Sequence, residues 1–300
     1  MPSLSSYLSL FAIGNASAAA SRKLLVKSRL TAGGHTLNDN EKTTYLDAEL
    51  CLMSKPAKLG VEGAVNPWDE LDWAHIAQAN VIHNVGAFLP WHRYYMRVHG
   101  YLLQSECGYK GGQPYWDEVR DLEALNESVV FDPDTGFGGQ GDNCVNDGPF
   151  ANLTLHLNAT SKNVNECLTR EFSPDGFQNG QQVYIDECLN TTNYVDASNA
   201  TSSDPISPGT LLWGAYPGDP LFFLHHTYHD RLWWQWQQDD LENRLTDIGG
   251  RNVPYDSFLE SNGIEYPSDA LLLYDGDDGN VTTLNHNLWM AGIAVSSWLP

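Results

Sequence analysis

The sequence predicts a mainly α-helical fold with long irregular connections and little sheet. Two stretches carry helical patterning, namely residues 69–106, interrupted once, and residues 219–238. Between them, residues 108–208 are rich in Gly, Asn, Asp, Ser and Thr, which favours loops. Neither an internal repeat nor a linker divides the 300 residues, so we interpret the chain as one large domain.

The helix boundaries follow from proline and capping residues. The pattern LDWAHIAQANVI predicts a helix that ends near Asn84, and WHRYYMRVHGYLLQSE predicts a second helix with Pro90 in its first turn. Further along, Asp219 is expected to be the N-cap of a third helix, with Pro220 as its first residue and an apolar stripe running to about residue 238.

Residues 1–20 are interpreted as a secretory signal peptide, because a short apolar stretch is followed by a run of small residues. The single domain would then comprise residues 21–300. Six Asn-X-Ser/Thr sequons also favour the secretory route: Asn126, Asn152, Asn158, Asn190, Asn199 and Asn280. After the signal no apolar run is long enough to span a bilayer, so we expect an extracellular or cell-wall-associated protein without a membrane partner.

The cysteine content and the charge limit the classes of function. The five cysteines are Cys51, Cys107, Cys144, Cys167 and Cys188, and no CxxC pair is present. Two disulfides and one odd thiol are the simplest arrangement, and the sequence does not select the pairing. The formal net charge of −22 argues against nucleic acid and anionic membranes as partners, and is typical of a solvated acidic surface.

Three histidines in the first helical stretch form a candidate metal site. His75 is expected inside the first helix, His83 just past its end, and His92 in the first turns of the next helix. Antiparallel helices joined by a short loop can bring such positions together. Three neutral imidazoles suit Zn²⁺ or Cu and leave coordination positions open. The spacing alone fits equally well three unrelated histidines that are hydrogen-bonded in the core.

Two longer motifs carry a family resemblance. The stretch HNVGAFLPWHRYYM resembles the first copper motif of the tyrosinase, catechol oxidase and haemocyanin superfamily, and DPLFFLHHTYHD resembles its second motif. The resemblance implies a four-helix-bundle core, and we interpret residues 108–208 as long, disulfide-tied, glycosylated loops. The resemblance also implies metal ligation by His75, His83 and His92 at the first site and by His226 at the second.

The chain departs from the family pattern at two places. Gly100 stands where the first motif normally carries Glu, and we expect the adjacent His99 to have a packing or supporting role. The family's second metal takes two more histidines from an HxxxH helix upstream of the His-His pair, whereas here NTTNYVDASNATSSDPISPGT contains none. We interpret that stretch as a glycosylated loop and His156 as a solvated loop residue, so the second metal site is predicted to be missing.

The histidines of the second motif are then candidates for catalysis. A histidine that formerly bound a second ion should face the first one, which makes His226 a candidate general acid/base with an ordinary pKa. His225 and His229 lie within one turn of it and are either further catalytic candidates or buried structural histidines. Asp230 is four residues after His226 and is expected to orient that ring by a hydrogen bond.

The predicted function follows from one metal rather than two. The pattern resembles the zinc-binding, haemocyanin-like cyclopenases of fungal quinolone alkaloid pathways, which implies redox-neutral ring contraction of a cyclopenin-type epoxide to a viridicatin-type quinolone with loss of methyl isocyanate. The expected cofactor is one Zn²⁺, with Cu as the alternative, and the expected partner is a small aromatic substrate. The apolar walls of the substrate pocket would come from Phe88, Trp91, Phe222, Phe223 and Tyr228. The alternatives are a copper-dependent catechol or phenol oxidase whose atypical second site takes His156 as a ligand, and a non-catalytic metal-binding protein.

Overall fold

The fold is mostly helical with little sheet, as the sequence predicts. The computed structural model describes residues 34–83, 85–139, 144–158, 162–170, 180–202 and 218–250. The helices are α1 (Asp39–Met53), α2 (Pro67–Ile76), α3 (Ala79–Ile82), α4 (Phe88–Cys107), α5 (Gln182–Leu189), α6 (Tyr194–Ser202), α7 (Leu221–Gln238) and α8 (Leu241–Arg244), and the strands are β1 (Thr154–Leu157) and β2 (Lys162–Cys167). The predicted signal peptide and the sequon at Asn280 lie outside the described residues.

Local sequence explains where the principal helices begin and end. Helix α2 begins with a capping box between Asn66 and Asp69 and has proline at its start. Helix α4 ends at Gly108, whose φ of 70° is the left-handed conformation that glycine adopts at little cost. Helix α7 ends at the predicted residue but begins one residue later than expected, with Asp219 accepting a hydrogen bond from the Leu221 N–H at 3.1 Å.

The middle of the chain is more regular than its composition indicates. It contains three short 3₁₀ helices (Glu118–Asp121, Leu125–Glu127 and Val129–Phe131), the antiparallel β1–β2 hairpin, and helices α5 and α6. The interpretation of residues 194–202 as a loop was wrong. Tyr194 and Ala197 are buried among aromatic side chains of α4 and α7, and this packing outweighs the weak helix propensity of Ser, Thr and Asn.

Two disulfides brace the fold, and the expectation of two bridges plus one odd thiol is confirmed. Cys51–Cys107 joins the C-terminal ends of α1 and α4, and Cys144–Cys167 ties the segment before the hairpin to β2. Cys188 in α5 is a buried free thiol.

Helices α4 and α7 pack against each other and carry the two histidine motifs. Helix α1 packs on α4 and on α2, and β1 packs on α2, so the core forms around the aromatic faces of α2, α4 and α7. In the described part of the chain, no helix is both long and apolar enough to cross a lipid bilayer.

Candidate metal centre

The structure brings the three predicted histidines of the first motif together. His75 lies in the last turn of α2, His83 directly follows α3, and His92 lies in the second turn of α4. One ring nitrogen from each lies within 4.8 Å of the other two, and the ring centroids are 5.0–5.5 Å apart. We refer to these three residues as the histidine triad.

Backbone carbonyls fix the tautomers of two triad members. Nδ1 of His83 donates to the Ala79 carbonyl at 2.7 Å, and Nδ1 of His92 donates to the Phe88 carbonyl at 2.8 Å. Both Nε2 atoms therefore present lone pairs, as metal ligation requires.

The nitrogen spacing fits a small cation. The Nε2 atoms of His75 and His92 are 3.4 Å apart. Two imidazoles bound tetrahedrally to Zn²⁺ at 2.0–2.1 Å place their nitrogens about 3.3 Å apart. The triad therefore fits one zinc or copper ion by donor type and by distance, and it leaves at least one coordination position open.

Burial keeps the triad neutral. It lowers the pKa of His75 and His92 well below the usual value, with a further lowering from neighbouring triad imidazoles, and it also lowers the pKa of His83. Neutral imidazole is the form that binds metal, so the apoprotein already holds its ligands in the binding form.

We expect metal binding at pH 6.5 to release far less than one proton per ion. Three imidazoles with an ordinary pKa of about 6.5 would be half protonated at that pH and would release about 1.5 protons. Because the pKa of each triad member is lowered, few protons remain to be displaced. Calorimetric titration with Zn²⁺ in buffers of different ionisation enthalpy measures this number, and a release above one proton would contradict the neutral triad.

His226 of the second motif lies directly against the triad. Its ring is parallel to that of His92, with centroids 4.1 Å apart and an interplanar angle of 9°. Its Nδ1 is buried and has no hydrogen-bond partner among the described residues. Burial, with the neighbouring imidazoles, lowers the pKa of His226 well below the ordinary value that the sequence led us to expect. At neutral pH the ring is therefore uncharged rather than a mixture of both forms.

Asp230 has a different partner from the predicted one. Its carboxylate binds Nε of Arg93, the residue that follows His92, instead of orienting His226. The Arg93 guanidinium also donates to Gln237 at 2.9 Å and lies 3.7 Å over the Trp233 ring. A guanidinium is a stronger partner for a carboxylate than a neutral imidazole, so the pair joins the two motif helices α4 and α7.

The other two histidines of the second motif lie on the same helix, beside His226. His225 pairs through Nδ1 with Glu118 at 2.6 Å, and burial lowers the pKa of His225 to about 4 while it raises the pKa of Glu118. The His229 ring lies 4.3 Å from His225 and 5.6 Å from His226. Sequence reasoning missed Glu118, because a contact between residues 107 positions apart leaves no local pattern.

Two histidines that the sequence considered for other roles lie outside the triad. His99 is fully buried, binds Glu49 at 3.0 Å and stacks on Phe223 at 3.7 Å, which agrees with the expected supporting role. His156 was expected in a solvated loop, but it is on β1, where it binds Asp69 at 3.1 Å. The structure thus gives His156 a carboxylate partner on α2 rather than a place beside His226.

Three of the five predicted aromatic wall residues surround the site. The rings of Phe88, Trp91 and Phe222 contact members of the triad at centroid distances of 4.6–5.6 Å. Phe223 packs against His99 instead, and Tyr228 stacks on Tyr115 in a separate cluster. The prediction is therefore too broad by two residues.

Comparison with known proteins identifies the family. The model of the common central domain of tyrosinase matches residues 65–212 and 207–239, which include the triad and the second motif. The chain belongs to the tyrosinase family. Tyrosinase-like protein phomQ1' of Diaporthe leptostromiformis is 33% identical over 250 residues, covering 72% of this chain and 65% of the relative. Tyrosinase ustQ of Aspergillus flavus is 34% identical over 242 residues, covering 73% and 66%.

A solved structure supports the fold. A variant polyphenol oxidase from Thermothelomyces thermophila superposes with a TM-score of 0.58 at 26% identity, covering 73% of this chain and 74% of that one. The chain spans slightly less than two thirds of the length of the curated relatives named above. The tyrosinase fold normally binds a metal, and the described residues of this chain present one histidine triad suited to it.

Proposed function

We propose that this tyrosinase-family chain is a mononuclear metal enzyme, with one Zn²⁺ held by His75, His83 and His92. Its reaction is redox-neutral and its substrate is a small aromatic metabolite. When bound, the ion would supply Lewis-acid polarisation of a substrate oxygen. The observation that carries the proposal is the position of the other described histidines relative to the triad.

Four of the other histidines have carboxylate partners. They pair with carboxylates as follows: His35 with Asp121 at 3.0 Å, His99 with Glu49 at 3.0 Å, His156 with Asp69 at 3.1 Å, and His225 with Glu118 at 2.6 Å. Among the described residues, the other histidines beside the triad are His225, His226 and His229, which all lie on one helix. His286 lies outside the described residues. Oxidase chemistry in the family uses paired coppers, and two metals in one site lie about 3.5–4 Å apart. In the part of the chain that the structure describes, the triad is the one group of three histidine, cysteine or acidic side chains whose ligand atoms lie close enough together to hold a metal, and this favours one ion.

The side chains around the triad can handle a proton and exclude water. His226 is a neutral imidazole stacked on His92, and its Nδ1 has no other hydrogen-bond partner in the described part of the chain. It is placed to accept a proton from a substrate held at the triad and to return it to the leaving fragment. The rings of Phe88, Trp91 and Phe222 supply apolar contacts for a flat substrate.

The specific reaction we propose is the ring contraction of a cyclopenin-type benzodiazepinedione epoxide. It yields a viridicatin-type quinolone and methyl isocyanate, and it needs neither oxidant nor reductant. Such a reaction belongs to fungal secondary metabolism, and the fungal origin of the relatives is consistent with it. The two disulfides support a secretory location for the enzyme, because disulfides persist in oxidising compartments.

The proposal is tested by metal analysis together with two assays, conversion of cyclopenin and oxygen uptake on catechol. We expect purified protein to contain one zinc per chain, to convert cyclopenin, and to lose that activity on treatment with a chelator. His156→Ala is the matched control, since it removes a histidine that binds Asp69 rather than the triad. Two coppers per chain together with oxygen uptake on catechol would contradict the proposal and favour the oxidase alternative.

A further inference from the structure

We infer that Tyr194 is a positioning residue of the metal centre, holding in place the loop that carries His83. The inference rests on the proposed metal site and not on the proposed reaction. Tyr194 is the first residue of α6 and is fully buried, yet it lies 111 positions from the ligand that it would position.

His83 is the triad member with the least support from regular structure. His75 and His92 are fixed by α2 and α4, whereas His83 follows the single-turn helix α3 and has an extended backbone with φ −111° and ψ 148°. Besides its bond to the Ala79 carbonyl, its position depends on what restrains the connection from α3 to α4, which we call the His83 loop (His83 and residues 85–87).

Tyr194 restrains that loop from one side. Its hydroxyl donates a hydrogen bond to the carbonyl of Gly86, three residues after His83. Two further contacts hold the tyrosine itself: its backbone N–H donates to Asp247 at 2.8 Å, and its ring packs edge-on against Trp233 with centroids 5.8 Å apart. These two contacts fix the position of the Tyr194 side chain that donates to the loop.

The segment after α8 restrains the loop from the other side. A β-carbon added to Gly86 would lie 2.1 Å from the Gly249 carbonyl oxygen, and one added to Gly250 would lie 3.1 Å from the Gly86 Cα. Backbone approach this close leaves the loop little space in that direction. Gly86 is therefore held from two sides, by the Tyr194 hydroxyl and by the backbone of Gly249 and Gly250. We call this arrangement the enclosure of Gly86.

Removal of the phenol hydroxyl should weaken metal binding without removing a ligand. Loss of one buried hydrogen bond changes an equilibrium constant by on the order of tenfold. Tyr194→Phe keeps the ring, its packing on Trp233 and the backbone bond to Asp247, and removes the hydroxyl that donates to Gly86. We expect Zn²⁺ affinity, measured by chelator competition, to fall about 5-fold to 20-fold.

Tyr109→Phe is the matched control. Its hydroxyl donates to a glycine carbonyl as well, Gly112 at 2.9 Å, but at the far end of α4 from His92. We expect both variants to lose similar thermal stability as apoproteins, with Zn²⁺ affinity changed only for Tyr194→Phe. The visible absorption of the Co²⁺-loaded protein, which reports ligand number and geometry, should likewise change only in Tyr194→Phe.

Each outcome bears on the inference. Equal Zn²⁺ affinities for the two variants would overturn it and leave the metal site standing. A wild-type chain that binds neither zinc nor copper would overturn the metal centre and the inference together. If Tyr194→Phe does not fold, Asp247→Ala is used instead, because it removes the carboxylate that accepts from the Tyr194 backbone N–H. An unchanged Zn²⁺ affinity of Asp247→Ala would overturn the inference.

Discussion

Replacing His92 by alanine is expected to abolish tight metal binding. His92 is the central member of the triad: its Nε2 lies 3.4 Å from that of His75, its ring lies 5.1 Å from His83, and His226 stacks on its face. Loss of an outer-shell partner typically costs 10–100-fold in metal affinity. Loss of a ligand should cost more, so we expect a fall of at least about 100-fold in Zn²⁺ affinity.

The measurement compares His92→Ala with His156→Ala by chelator competition. His156 is also a histidine paired within the fold, but its partner is Asp69 and not the triad. Circular dichroism of both apoproteins checks that each variant is folded. Metal bound by His92→Ala with wild-type affinity would show that the triad is not the binding site.

Replacing Arg170 by methionine is expected to destabilise the whole fold by about 3–5 kcal/mol. The guanidinium is fully buried and forms two hydrogen bonds with the Asp219 carboxylate, at 2.7 and 2.9 Å. It also donates to the carbonyls of Phe137 and Gly138. Without it, Asp219 would be a buried, uncompensated charge at the start of α7, the helix that carries the second motif.

Urea denaturation of Arg170→Met and Arg120→Ala measures this effect. Arg120 also forms an ion pair, with Asp117 at 2.9 Å, but its side chain is 56% exposed. An exposed pair typically contributes no more than about 1 kcal/mol. We further expect Arg170→Met/Asp219→Asn to recover part of the loss. A loss for Arg170→Met as small as that for Arg120→Ala would mean that the buried pair does not support α7.

Much of the helical scaffold could be predicted because its signals are local. Pro90 lies in the first turn of α4 as predicted, and the apolar stripe of α7 ends at the residue where the helix ends. Helix α6 could not be predicted in this way. Its Ser, Thr and Asn content favours a loop, and it is helical because Tyr194 and Ala197 pack into a core built by distant residues.

In the candidate site, too, the features that depend on nearby residues could be predicted, and those that depend on distant residues could not. Spacing and motif resemblance identified the triad, because all three ligands lie within eighteen consecutive residues. The partners of Asp230 and His225 could not be predicted, since Arg93 and Glu118 lie 137 and 107 positions away. Helical geometry allowed Asp230 to reach His226, but it could not show that the Arg93 guanidinium would lie beside the Asp230 carboxylate.

The enclosure of Gly86 has a consequence for the order of maturation. His75, His83 and His92 leave the ribosome early in synthesis, whereas Tyr194, Gly249 and Gly250, which lie against Gly86, arrive more than a hundred residues later. Such distant contacts form late in folding, because chain entropy must be lost before they are made. Nascent chains should therefore capture an ion poorly, and stable loading is expected to follow translation of the second half of the domain.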